Sequence, residues 1–330
     1  MPTDYPVDKA DKQPFADFLV VQLNNITYRR KVCVPDSVKH FDTDPFRYDG
    51  DKSFKLKKAP TKIDDLYEDD QHYEALLRQQ AADIDKWQER MFADNRYGLL
   101  TVFQALDAAG KDGTIQHVFT GTNPAGVRVY SFKRPTDQEL DHDFLWRSWR
   151  ELPERGMIGV FNRSYYEEVL VTKVHPEILT QSQRLPQKST NDLDKLFKHR
   201  YEAIRNMETF LYQNGFSTAK FYLHVSKDEQ ANRLIARIKD PDKNWKFQEA
   251  DVEERNFWDD YQDAYETCIT ETATEKAPWY IVPADDKKNM RLIVGRIIIE
   301  ELKKLPINEP EADEKRFKEL QKLISVIQAQ

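Results

Sequence analysis

A lysine, two aspartates and two glycines fall within seven residues of this chain, directly after an apolar run. The run is Leu99–Leu106, and the seven residues are Asp107–Gly113. From Ala105 to Lys111 the spacing follows G-x-x-x-x-G-K, the pattern of a phosphate-binding loop, with alanine in place of the first glycine. Asp112 stands where that loop usually has serine or threonine. A glycine-containing turn with an exposed lysine explains this degenerate pattern about equally well, but the flanking strand and helix patterns favour the phosphate loop.

This loop offers three kinds of group that bind phosphate or its metal. Backbone N–H groups of the loop and of the following helix, predicted to start at Thr114, can point at phosphate oxygens. Lys111 adds a cation for a transferred phosphoryl group. Since Mg²⁺ takes one or two carboxylates, Asp107 is predicted to replace the missing hydroxyl as metal ligand. The remaining loop residues predicted to bind phosphate are Ala108, Ala109, Gly110, Asp112, Gly113 and Thr114.

A second polar cluster follows another apolar run, Met157–Phe161. Open α/β sheets place their chemistry at the carboxyl ends of strands, so this cluster is predicted to share the site. An aspartate at the first position would orient Mg²⁺, and the uncharged Asn162 weakens that role. Arg163 can clamp a phosphate through two hydrogen bonds, and Glu167 can restore the negative charge. The alternative is a strand-to-helix turn that Asn162 or Ser164 caps.

A third cluster, in residues 228–265, joins two predicted helices through a turn at Pro241. Arg233 and Arg237 are four residues apart and therefore share a helix face. With Lys243 and Lys246, they could form a lid that closes positive charge over phosphates and excludes water. On pattern alone, a solvent-exposed helix pair of mixed charge is the better interpretation. Arg128 and Lys133, near another predicted strand, either extend the positive surface or are exposed strand-end charges.

Apolar runs alternate with helical patterns along the chain. Strands are predicted at residues 99–106, 126–132, 157–161, 219–225 and 279–282, and helices at 61–95 and 199–211. This alternation predicts a mainly parallel five-stranded sheet covered by helices on both faces, a three-layer α/β/α fold. Residues 1–60 are predicted to form an extended N-terminal arm, residues 61–305 the main domain with its lid at about 228–265, and residues 306–330 a C-terminal helix.

Composition limits the class of protein. With 330 residues, 39% of them hydrophobic and 12% aromatic, the chain can build a sizeable core. It has no apolar segment of membrane-spanning length and no N-terminal signal pattern, so a cytoplasmic protein is expected. Two cysteines and seven scattered histidines argue against a disulfide framework or a zinc site, and the net charge of −7 argues against nucleic acid as a partner.

Four motifs, taken in order, resemble those of the polyphosphate kinase 2 family. They are ALDAAGKDGTI, GVRVYSFKRPT, FNRSYYEEVLV and RIKDPDKNWKF, the last followed by PWYIVPADDK, and the resemblance spans about residues 60–305. It implies a thymidylate-kinase-like P-loop fold with a helical lid. It also implies phosphoryl transfer between inorganic polyphosphate and nucleotides with Mg²⁺, Mn²⁺ being the alternative metal.

The resemblance assigns roles by position. Asp107 is similar to the family's carboxylate near Mg²⁺, Lys111 to its phosphate-binding lysine and Arg163 to the arginine that follows its second acidic motif. Asn162 stands where many members have aspartate, and this form resembles the branch that phosphorylates both AMP and ADP. The lid residues implied are Arg233, Arg237, Lys243 and Lys246.

The expected activity is synthesis of ATP from ADP or AMP and polyphosphate, by in-line attack of an anionic phosphate oxygen. Guanine nucleotides are a further class of acceptor. Two alternatives share the loop: a nucleoside monophosphate kinase that uses ATP as donor, and a non-catalytic protein that binds nucleotides or polyanions. A homo-oligomer without membrane or nucleic-acid partners is expected from the long apolar-faced helix and the arm.

Overall fold

A six-stranded β-sheet lies at the centre of this computed structural model, which describes residues 41–242, 244–308 and 314–330. The strand order is β1-β6-β5-β2-β4-β3. All neighbouring strands are parallel except β1, which pairs with β6 in the antiparallel direction. The strands are β1 (Arg47–Tyr48), β2 (Gly98–Ala105), β3 (Val127–Ser131), β4 (Ile158–Asn162), β5 (Phe216–His224) and β6 (Trp279–Pro283).

Helices connect the strands and cover the sheet. They are α1 (Asp70–Asp94), α2 (Lys111–Phe119), α3 (Asp137–Leu140), α4 (Trp146–Trp149), α5 (Glu167–Val174), α6 (Glu177–Gln181), α7 (Gln187–Thr190), α8 (Leu193–Gln213), α9 (Lys227–Lys239), α10 (Ala250–Glu253), α11 (Trp258–Thr272), α12 (Lys287–Lys304) and α13 (Glu314–Gln328). Short 3₁₀ turns cover Asp44–Phe46, Leu56–Lys58, Asn244–Lys246 and Glu254–Phe257. None of the helices in these described ranges is both long and apolar enough to cross a membrane.

The strand β2 shows how the sheet divides the interior into two cores. Leu99 and Phe103 join the core under α1, α2 and α12, whereas Leu100 and Val102 join the core under α5, α8 and α11. Successive side chains of a strand point to opposite faces, so a strand buried on both faces is apolar along its whole length. The predicted three-layer α/β fold with a mostly parallel sheet is therefore confirmed.

The predicted strand count is wrong by one. The additional strand is β1, two residues long, which pairs Arg47 with Tyr280 and Tyr48 with Trp279 at the edge of the sheet. It lies in the segment predicted as an extended arm. Two residues are too short to produce a hydrophobic pattern, so only the contact with β6 makes this segment a strand. Residues 1–40 of the predicted arm, including Cys33, lie outside the described residues.

Helix boundaries also differ from those predicted. The helix predicted from Thr61 begins at Asp70, after Asp69 accepts a hydrogen bond from the backbone N–H of His72. Thr61 instead donates to the Asp285 carboxylate at 2.8 Å, and this side-chain contact holds the preceding segment extended beside β6 and α12. Similarly, α2 starts at Lys111 rather than Thr114, and α8 extends the helix predicted at 199–211 in both directions.

Candidate active site

The loop between β2 and α2 turns through two left-handed residues. Ala108 has φ 63° and Gly110 has φ 101°, and α2 begins immediately afterwards at Lys111. Glycine adopts this backbone at no steric cost, whereas alanine is strained in it. The loop thus ends at a helix N-terminus, whose free N–H groups and positive dipole end favour an anion.

The second predicted cluster lies beside this loop because β2 and β4 are neighbours in the sheet. Phe103 of β2 is in register with Asn162, the last residue of β4. The next residue, Arg163, takes a left-handed φ of 61° and donates its backbone N–H to the Phe103 carbonyl at 3.0 Å. Its Nη2 donates to Asp107 Oδ1 at 2.8 Å, and its Nη1 reaches Glu167 Oε2 at 3.4 Å. The predicted Asp107, Arg163 and Glu167 are therefore brought into one cluster.

Asn162 links the cluster to the start of α2. Its amide Nδ2 donates to Asp112 Oδ1 at 2.8 Å and approaches Ser131 Oγ at 3.3 Å. An amide N–H donor suits this place because the Asp112 carboxyl oxygen that it faces is a hydrogen-bond acceptor. Asn162 thus contacts another predicted loop residue, and it stabilises the carboxylate through a hydrogen bond rather than through charge.

The charged groups of the site perturb each other. Burial lowers the pKa of Lys111, whose side chain is 13% exposed, and the nearby Arg163 lowers this pKa further. The Glu167 carboxylate, with help from Asp107, raises the pKa of the Arg163 guanidinium against the effect of desolvation. Burial raises the pKa of Glu167, and the cations Arg163 and Lys111 oppose that rise. Two cations and two carboxylates therefore lie close together beside the loop, with Lys111 and Glu167 mostly buried and Arg163 and Asp107 partly open to solvent.

Asp107 and Glu167 are the two carboxylates of this cluster that could take part in holding a magnesium ion. Among the residues that the structure describes, no group of three or more histidine, cysteine or acidic side chains could hold a metal alone. Asp107 has one oxygen on Arg163, but its side chain is still 41% exposed, and Glu167 supplies a second carboxylate in the cluster. Mg²⁺ usually binds through one or two carboxylates, waters and phosphate oxygens rather than in an all-protein cage.

The predicted lid, at about residues 228–265, falls on α9, α10, the first half of α11 and the 3₁₀ turns between them. Arg237 pairs with Asp251 of α10 at 3.3 Å, and Arg255 donates to the Gln230 side chain. Lys243 lies outside the described residues, as does the side chain of Lys246. Arg233 does not face the loop opening, because its guanidinium, 8% exposed, donates to the backbone carbonyl of Ala109 at 2.6 Å. The structure therefore places it behind the loop, not in the phosphate-facing position predicted for it.

A small cavity lies between the loop and the segment predicted to be a lid. Asp107, Arg163 and Glu167 line it from the loop side, and the lid contributes Gln230, Asp251, Glu254, Arg255, Trp258, Tyr261 and Tyr265. Sequence reasoning did not assign these lid residues to the site, because aromatic and polar residues at helical spacing look like ordinary packing.

The two basic residues that the sequence placed near a predicted strand, Arg128 and Lys133, lie near opposite ends of β3. Arg128 is near the amino end of the edge strand β3, three residues before Ser131, and pairs with Glu154 at 3.5 Å. At about 3.3 Å per residue it lies ~10 Å from the carboxyl edge of the sheet, so the structure does not bring it to the site. Lys133 follows the carboxyl end of β3, where its carbonyl accepts from Arg147 at 2.7 Å.

A larger cavity of about 300 Å³ opens on the α5 and α8 side of the same edge. Most of the open wall surface is apolar and comes from side chains such as Leu140, Phe144, Leu185 and Leu196, although nine of the fifteen lining residues are polar or charged. Its charged floor is Glu168, which pairs with Arg147 at 3.5 Å and Arg200 at 3.6 Å. Sequence reasoning missed this cavity, because its residues come from α3, α5, α8 and the connecting loops, and only the tertiary fold brings them together.

The chain is similar to known proteins over most of its length. The family model described as polyphosphate kinase 2 matches residues 67–310. The chain is 54% identical over 279 residues to an ADP-polyphosphate phosphotransferase of Rhodopseudomonas palustris, covering 84% of this chain and 96% of the relative. It is 44% identical over 230 residues to an AMP/ADP-polyphosphate phosphotransferase of Meiothermus ruber, covering 70% of this chain and 81% of the relative.

A solved structure has the same architecture. The crystal structure of polyphosphate kinase 2 from Arthrobacter aurescens TC1 superposes with a TM-score of 0.73 at 38% sequence identity. The match covers 81% of this chain and 91% of that chain. The fold, the loop and the second cluster therefore lie within the part of the chain that these proteins share.

Proposed function

The chain belongs to the polyphosphate kinase 2 family, and we propose that it transfers phosphoryl groups between inorganic polyphosphate and the adenine nucleotides ADP and AMP. The observation that carries this proposal is the convergence of Asp107, Arg163 and Glu167 beside the loop. Lys111 is close enough that all three perturb its pKa. In its finer details, the fold is proposed to be thymidylate-kinase-like, with residues 228–265 as a lid.

The proposed reaction needs charge and positioning rather than a strong base. The attacking nucleotide oxygen is already anionic, so the protein has little proton transfer to perform. The loop N–H groups and Lys111 would hold the terminal phosphoryl group, and Arg163 would offset charge that develops during transfer. Glu167 would orient Arg163 through their ion pair.

The metal would be Mg²⁺, with Mn²⁺ as the alternative. Asp107 would hold it, and Glu167 is the candidate second carboxylate. When bound, the ion would neutralise part of the negative charge on the phosphate oxygens.

The larger cavity is the proposed site for the base of the acceptor nucleotide. Its floor, Glu168, directly follows Glu167 of the cluster, so the cavity and the cluster adjoin the same helix, α5. A volume of about 300 Å³ with mainly apolar walls and a few buried polar groups suits a small aromatic ligand. Phe144 supplies an aromatic face for a base, with Arg200 stacked on it at 5.0 Å.

One set of assays tests the proposal against its alternatives. Purified protein with Mg²⁺, polyphosphate and ADP is expected to form ATP, and AMP is expected to form ADP and then ATP. ATP production from these mixtures would be followed by a luciferase assay, with GDP and GMP as further acceptors. Transfer from ATP to AMP, but not from polyphosphate, would favour a nucleoside monophosphate kinase. Tight binding of polyphosphate without any product would favour a non-catalytic binding protein.

A further inference from the structure

We propose that Arg233 and Gln230 of α9 are positioning residues that set the backbone of the phosphate loop from behind. Neither residue would contact phosphate itself. The inference rests on the proposed function, because it takes the loop to be the place where phosphates bind.

The Arg233 guanidinium donates five hydrogen bonds to other groups of the protein. Nε donates to Glu229 Oε1 at 2.7 Å, and Nη1 donates to the carbonyls of Ala109 at 2.6 Å and Ala108 at 3.4 Å. Nη2 donates to the carbonyls of Ala284 at 2.6 Å and Asp285 at 2.9 Å. A guanidinium has five N–H donors, so these five bonds leave none for a substrate.

Gln230 binds the carbonyl of one more loop residue, Asp107, from the same side as Arg233. It lies one turn before Arg233, and its Nε2 donates to the Asp107 carbonyl at 2.9 Å. The carbonyls of Asp107, Ala108 and Ala109 therefore all point towards α9. The Ala109 N–H in turn donates to the Leu106 carbonyl at 3.2 Å, so both sides of this turn are fixed by hydrogen bonds. A turn whose backbone is held in this way can keep its remaining N–H groups in the arrangement of an anion-binding nest.

These contacts also account for the left-handed alanine. A left-handed backbone is strained for a residue other than glycine, and it persists only where the surrounding structure imposes it. Ala108, at φ 63°, has Arg233 on its own carbonyl and on the next one. Arg233 is in turn anchored through Asp285, whose carboxylate accepts from the Ser226 backbone N–H at 2.7 Å and from the Thr61 hydroxyl at 2.8 Å.

Two readouts separate positioning from direct contact. A cation that binds a polyanion releases counterions, so removing it makes binding less dependent on salt. A positioning residue changes affinity without changing this salt dependence. In addition, glycine adopts the left-handed backbone freely, so Ala108→Gly should compensate for the loss of a positioning residue but not for the loss of a phosphate ligand.

The experiment measures binding of inorganic tripolyphosphate to the full chain by calorimetry at several salt concentrations. Arg233→Gln is expected to weaken binding by about tenfold or more with an unchanged salt slope, and adding Ala108→Gly is expected to recover several-fold of that loss. Arg296→Gln, which removes an ion pair with Glu300 on α12, is the matched control and is expected to bind as the parent does. Two results would overturn the inference. One is a decrease in the salt dependence of binding in Arg233→Gln equivalent to the loss of about one ionic contact, and the other is no recovery of affinity when Ala108→Gly is added.

A second variant keeps the test decisive if Arg233→Gln does not fold. Gln230→Met removes an uncharged donor, so its expected several-fold loss of affinity cannot come from a lost ionic contact. Unchanged affinity in Gln230→Met would contradict the inference. If the parent binds tripolyphosphate but transfers no phosphoryl group to ADP, the proposed function fails, while these binding measurements still judge the inference.

Discussion

Arg163 combines strain and charge at one residue of the site. It takes a left-handed φ of 61° and lies between the carboxylates of Asp107 and Glu167. Strained residues of this kind persist only where the surrounding structure imposes them, and here the hydrogen bond from its N–H to Phe103 does so. The guanidinium is thus aimed at the loop before any substrate arrives.

Lys111 gives the most direct prediction at this scale. Lys111→Ala should lower kcat by about 10²–10³-fold, because it removes one preorganised cation from a poorly solvated site. The melting temperature should change little, since the lysine has a lowered pKa and contributes no strong ion pair. Near-normal turnover in a folded Lys111→Ala protein would show that the loop is not where transfer occurs.

The same lysine predicts a pH dependence. Its pKa lies below 10.5 because of burial and Arg163. The charged form exists below the pKa, so kcat/KM for polyphosphate should fall as pH rises through it. Lys111→Arg stays charged, and its profile should therefore lack this alkaline fall while Asn162 variants keep it. An identical alkaline limb in Lys111→Arg would assign the titration to another group.

Asn162 allows a prediction about charge next to Asp112. Asn162→Asp replaces the hydrogen-bond donor to Asp112 by a second carboxylate at the same short distance. Like charges repel, so without Mg²⁺ the melting temperature should fall by a few degrees, and Mg²⁺ should restore it more than in the parent. The double variant Asn162→Asp with Asp112→Asn is the control and should show neither effect. Thermal melts with and without Mg²⁺ measure both.

Among the elements, the helix α9 makes different contacts in its two halves. Its first half holds the loop carbonyls through Gln230 and Arg233, whereas Arg237, one turn later, pairs with Asp251 of α10. An element fixed to the loop at one end cannot move as a whole when a lid opens. Motion is therefore expected beyond Lys239, at the turn that contains Pro241.

The larger cavity leads to a prediction that distinguishes binding of the acceptor nucleotide from binding of the polyphosphate donor. Phe144→Ala should raise KM for ADP and AMP about tenfold, because it removes the aromatic wall of the proposed base site. KM for polyphosphate should remain within about twofold, since the loop is untouched. Val129→Ala on the exposed face of β3 is a control for a lost apolar side chain and should change neither constant. Equal effects on both substrates would place the base elsewhere.

At the scale of the whole molecule, the long helix α1 packs within the chain. Its apolar residues Ile84 and Met91 are fully buried in the core that α1 shares with α2 and α12. This explains the apolar face that suggested subunit packing. A homo-oligomer thus remains a prediction, and sedimentation velocity of the purified protein would test it.

Removal of the C-terminal helix is a further prediction at this scale. No residue of α13 is buried in the part of the chain that the structure describes. A chain ending at residue 308 should therefore keep its melting temperature within a few degrees and its kcat within about twofold. A change in sedimentation alone would assign α13, with its exposed Phe317, Leu320 and Ile327, to subunit association. A large loss of stability would mean that α13 supports the kinase domain directly.

The features of this protein that depend on local sequence pattern could be predicted before the fold was known. Five parallel strands follow from apolar runs, and each is flanked by turns and helices with the expected periodicity. The loop residues Asp107 and Lys111, and the cluster at Arg163, follow strand ends, so their meeting at one sheet edge could be predicted from topology alone.

Features that depend on contacts between distant segments could not be predicted from local pattern and are seen only in the folded chain. The strand β1 exists because Arg47 and Tyr48 meet β6, and the extended segment at Thr61 exists because Asp285 binds it. Arg233 and Arg237 share one helix face in the sequence pattern, yet one faces loop carbonyls and the other faces Asp251. The larger cavity likewise needs side chains from elements far apart in the chain. Periodicity shows which face of an element is buried, but the partner on that face is set by packing, and that packing decides the role of a charged side chain.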